Sequence, residues 1–114
     1  MIQRHGRTAI MHRVVEHNGV LYVGGIGADD RSAGMKGQTE QILDKIGAIL
    51  AERGSDRTKV LAATIFITDM ARKDEMNQAW TAWFGPDHLP TRATIGVSEL
   101  GPDMLVEVVV TAAA

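Results

Sequence analysis

The chain has 114 residues, no cysteine, a formal net charge of −2 and only 4% aromatic residues. That length makes one domain whose core must be alanine, valine, isoleucine and leucine. The missing cysteines exclude disulfides, thiolate chemistry and cysteine-based zinc sites, and the mixed charge offers no basic field for nucleic acid.

Residues 1–7 read as a loose polar arm or the start of an edge strand. Residues 8–15, TAIMHRVV, form a strand candidate. Asn18-Gly19 then marks a hairpin turn, and residues 20–26 are the return strand. Gly24 and Gly25 near its end suggest a bulge or a close backbone approach, as to a ligand. Residues 27–34 are loop. Residues 38–53 carry Ile42, Leu43, Ile46, Ile49 and Leu50 at helical spacing, and Gly54 stops the helix. Residues 60–68, VLAATIFIT, are apolar on both faces and read as a central strand. Residues 74–84 form a second helix with Met76, Ala79, Trp80 and Trp83 on one stripe, closed by Gly85-Pro86. Two last strands lie within residues 89–111, joined by a turn over residues 99–103.

The order β-β-α-β-α-β-β predicts an α+β fold. It is a two-layer sandwich of a mixed β-sheet with two helices on one face, in a single domain spanning residues 1–114. Met104, Val106, Val108 and Val110 take one face of the last strand. Leu105, Glu107, Val109 and Thr111 take the other. Two helices cover one face only, so the second, still largely apolar, predicts an oligomer.

Two charges stand out on the closing strands. Arg92 reads either as a fork for a substrate carboxylate or as half of a structural ion pair across a subunit interface, with Glu107 itself a candidate partner. Glu107 reads either as a residue that positions water or as the partner of a basic group. His5, His12, His17 and His88 form no ligand set, so no metal and no cofactor are expected. Gly24-Gly25 lacks the pattern of a phosphate loop. The N-terminal stretch has no apolar signal core and no run reaches membrane-spanning length, so a cytoplasmic protein without a membrane partner is expected.

The glycines of VGGI, the segment TKVLAATIFITDM, Asn77 in the second helix, and LPTRAT followed by VEVVVTA resemble the RidA/YjgF family of reactive-intermediate deaminases, also labelled L-PSP endoribonucleases. The short length and MNQAWTAWF resemble its YoaB-like branch. The resemblance implies a homotrimer whose sheets close into a barrel, with a cleft at each subunit interface. It implies hydrolysis of a small carboxylate-bearing imine or enamine, with the carboxylate on Arg92. Thr94, Gly25 and Asn77 would complete the binding site, and Glu107 is the best remaining side chain in this sequence to assist the water. It places the family's water-positioning glutamate at Val109, a tyrosine at Met11, a serine at Gly24 and a cysteine at Thr94. Those departures leave a second reading, a non-catalytic trimer that binds or senses keto-acid-like metabolites. Ribonuclease activity finds no His/Lys constellation to support it.

Overall fold

Asn18 and Gly19 both adopt positive φ, 50° and 76°. This is the turn geometry whose twist matches that of paired strands. It joins β2 (His12–His17) to β3 (Val20–Gly27). The computed structural model describes all residues, 1–114. Residues 3–7 are an edge strand, β1 (Gln3–Arg7), paired antiparallel with β2. The predicted strand over 8–15 therefore splits. The Thr8 hydroxyl accepts from the Met11 amide and donates to the Met11 carbonyl, which bends residues 8–11 into a turn.

Helix α1 (Met35–Glu52) starts three residues before the predicted position and buries Met35, Gln38 and Thr39 besides the expected aliphatic face. Strand β4 (Val60–Ile67) follows, then α2 (Lys73–Phe84), β5 (Thr91–Gly96) and β6 (Val106–Ala113). The sheet order is β1-β2-β3-β6-β4-β5, mixed because only β4 and β5 run parallel. Both helices pack on one face. Val106, Val108, Val110 and Ala112 of β6 are buried there, beside Ile65 and Ile67 of β4, under Ile42, Ile46 and Trp80.

Two expectations are corrected. The closing strands are not a hairpin, because β4 lies between β5 and β6. A parallel β4–β5 pair needs a crossover, and α2 supplies it. Nor is β4 the middle of the sheet; it stands one strand from the edge, and β6 bridges β3 and β4. The apolar look of both β4 faces has another cause. Its second face belongs to a surface that nothing in this chain covers. There Tyr22 aligns with Thr111 and Ala62, Val109 with Thr64 and Ala93, and Glu107 with Phe66 and Ile95. Tyr22 and Ile95 stay 49% and 43% exposed on it, so the expected bare apolar face is present.

Candidate functional site

The five residues singled out from sequence fall into two groups on opposite sides of the sheet. Arg92 aligns with the buried Ala63 and therefore faces the helices. Glu107 aligns with Phe66 and faces away from them. Neither a shared face nor neighbouring strands connect the two, so no Arg92–Glu107 ion pair forms within the chain, and the pairing considered from sequence is one between subunits. The chain's ion pairs are Lys45–Asp29 and Arg72–Glu75.

Arg92 sits where edge strand β5 meets α2. Its guanidinium carbon lies 5.5 Å from the centroid of the Trp80 ring, and Nη1 reaches the Met76 sulfur at 3.8 Å. The ring face attracts the cation, but neither contact neutralises it. Partial burial pushes the guanidinium pKa down from its ordinary value, and arginine stays charged regardless. Thr94 follows two residues later on the same face, aligned with the buried Ile65. Its hydroxyl is buried without a partner, as is Oδ1 of Asn77, one turn before Trp80 on α2. Buried polar atoms are rarely left unpaired. A cation without a counter-ion and two orphaned oxygens thus mark the β5–α2 seam.

On the other face β3 bulges between Val23 and Ile26. Gly24 and Gly25 occupy the bulge, so no side chain rises from this strand between Tyr22 and Ile26 on that side. The Glu107 carboxylate fills the space over Gly25; a Cβ there would stand 2.9 Å from Oε2. The cavity beside it has a volume of about 260 Å³ and is lined by Arg13, Asp29, Arg31, Lys45, Met104 and the Gly25–Ala28 segment. Lys45 is engaged, donating to the Gly27 carbonyl at 2.8 Å and to Asp29 at 3.0 Å. Arg31 donates to the carbonyls of Ala28 and Pro102. These basic residues escaped the sequence reading because three separate elements supply them. A lone cation in a strand, a loop or a helix carries no local signal.

Gln38 holds the rim of this cavity. It is fully buried; Nε2 donates to the carbonyls of Arg31, Ala33 and Asp103, and Oε1 accepts from the Leu105 amide. One side chain thereby ties the loop before α1 to the loop before β6. Val109 lies two residues beyond Glu107 on the same face, aligned with Thr64. The acid nearest the glycine bulge is Glu107. The histidines do not gather, and no group of three potential ligands forms a metal site.

Comparison with known proteins agrees with this architecture. The family model described as Endoribonuclease L-PSP matches residues 4–114. A RutC family protein of Haemophilus ducreyi is 37% identical over 113 residues, covering 99% of this chain and 97% of its own. The RutC family protein YoaB of Escherichia coli is 37% identical over 100 residues, covering 88% and 87%. Among solved structures, a Pseudomonas aeruginosa protein superposes with a TM-score of 0.94 at 34% identity, covering 99% and 98%. NMB1025 of Neisseria meningitidis, a YjgF family member, gives 0.91 at 33% identity, covering 99% and 94%. By sequence and by fold, the chain belongs to the Endoribonuclease L-PSP family, the YjgF/RidA proteins.

Proposed function

We propose that the protein hydrolyses a small imine or enamine bearing a carboxylate, and does so as a homotrimer. The observation that carries this reading is Arg92. A partly desolvated guanidinium with no carboxylate in reach is poised for an anionic ligand, which it can grip by two parallel charge-assisted hydrogen bonds. No ion pair within the chain engages it, because Glu107 is on the other face.

Assembly reconciles the two half-sites. Arg92 stands at the sheet edge, and Glu107 stands on the bare apolar face. A second copy packing its bare face toward the β5 edge brings its own Glu107 to the first copy's Arg92. The cleft is then composite, with Arg92, Thr94 and Asn77 from one subunit and Glu107 and Gly25 from the next. Arg92 anchors the carboxylate, while backbone amides near Thr94 and Gly25 steady the polar end. Water adds to the C=N carbon as Glu107 takes one of its protons and passes it to nitrogen, giving a carbinolamine. The hydroxyl proton then moves through Glu107 to the amine, C=O forms as the C–N bond breaks, and the products are a keto acid and ammonia.

The test is a coupled assay with freshly generated 2-iminopropionate, alongside calorimetry with 2-oxobutyrate. Arg92→Ala is expected to weaken keto-acid binding by about 2–5 kcal/mol, and Arg92→Lys to weaken it less, since charge survives but the fork is lost. Glu107→Gln is expected to keep binding and lose turnover. An Arg92→Ala trimer that binds keto acids like wild type would sink the anchor. Tight binding without turnover in wild type would make the chain a sensor or sequestering protein instead.

A further inference from the structure

Arg13 is the one basic residue lining the Glu107 cavity that makes neither an ion pair nor a side-chain hydrogen bond. Lys45 and Arg31 are both spent on carbonyls and Asp29. Arg13 precedes the buried Val14 on β2, so it lies on the same bare face as Glu107. Between them runs β3, and there the chain places Gly24 and Gly25. Gly24 lies against the Arg13 backbone, where a Cβ would be 3.6 Å from the carbonyl oxygen. Gly25 lies under the Glu107 carboxylate. The floor between the arginine and the acid is therefore backbone, flanked at Gly24 by the Met11 thioether, whose Sδ and Cε would each be 3.6 Å from a Cβ there. Two strand spacings separate β2 from β6, roughly 10 Å. A trough of that width suits a short molecule with a charge at one end and a reacting carbon toward the other.

We propose that Arg13 is a specificity-determining residue, and that the cavity takes imines and keto acids carrying a second carboxylate. The inference rests on the hydrolase reading above and names its substrate class. The ligand's first carboxylate goes to Arg92, and its distal one pairs with the free guanidinium of Arg13. Arg13 is exposed in the single chain, so a monocarboxylate leaves it to water and simply forgoes the charge-assisted contact that a second carboxylate makes.

Calorimetry with 2-oxoglutarate and 2-oxobutyrate on the intact assembly tests this. Wild type is expected to bind the dicarboxylate about tenfold or more tighter, the scale of one good charge-assisted contact. Arg13→Gln should bring that ratio close to one, and Arg13→Lys should restore part of it. Equal affinities in wild type overturn the proposal. So does an Arg13→Gln variant that keeps the preference, or one that falls apart into monomers, because Arg13 would then be a subunit contact. If 2-oxobutyrate binds in an Arg92-dependent way while Arg13 has no effect, the hydrolase reading survives and this one falls. If neither keto acid binds wild type, both fall.

Discussion

The Glu107 carboxylate rests directly over Gly25, in the space where any other residue would place its Cβ 2.9 Å from Oε2. Gly25 has no positive φ, so alanine is conformationally admissible there. The atom it would meet is the far end of a flexible side chain, and the cost to stability should stay near 0.5 kcal/mol or so. The cost to chemistry should be larger, because the acid must swing away. Gly25→Ala is expected to keep the melting temperature and lower imine hydrolysis on the order of 10²-fold, as a displacement of about 1 Å can. Paired thermal melts and turnover assays check both halves.

The uncovered face carrying Tyr22, Phe66 and Val109 makes association testable without any substrate. Val109→Asp introduces an unpaired carboxylate in the middle of it, which burial would penalise by several kcal/mol. Sedimentation velocity at micromolar concentration is expected to show a trimer for wild type and smaller species for the variant. A wild-type monomer would end the composite-site argument.

Trp80 is 2% exposed, and its ring supports Arg92. Trp80→Ala should cost about 3–5 kcal/mol in chemical denaturation, the range for deleting a large buried aromatic. Trp80→Phe should cost less and keep an aromatic face beneath the guanidinium. Keto-acid affinity should follow the same order even where the variants remain folded and assembled.

Asp56 caps the short turn before β4 by accepting from the Thr58 amide and hydroxyl. The side-chain bond first, then the backbone bond, holds its pKa below the ordinary 3.8. A depressed carboxylate contributes stability above its unfolded pKa and loses it as pH falls through the folded one. The stability gap between wild type and Asp56→Ala should therefore be widest near pH 7 and narrow below about pH 4. A gap independent of pH would show that the carboxylate's charge plays no part.

Much of the fold was legible because its signals are local. The Asn18-Gly19 turn, the aliphatic stripe of α1 and the alternation in β6 each need only a few residues to declare themselves. The alternation even exposed the uncovered face. The pairing of β5 was not legible, because adjacency in sequence argued for β6 and only the α2 crossover delivers it to β4. The candidate site suffered from the same error. Arg92 and Glu107 were each visible as isolated charges, but their separation across the sheet follows from long-range register, which no short window contains. Arg13 went unnoticed because its importance depends on two glycines of the next strand and an acid nearly a hundred residues later.

Strand β6 comes last in chain order, yet it joins the β1-β2-β3 half to the β4-β5 half. During synthesis, the inner edges of β3 and β4 both wait for it. The N-terminal hairpin can form early, but the two halves stay unjoined until β6 has left the ribosome. Long-range pairing of this kind is slow and leaves strand edges open meanwhile. Truncation within Val106–Ala113 should thus yield not a smaller protein but two sticky half-sheets, so the nascent chain is most vulnerable to aggregation just before β6 emerges.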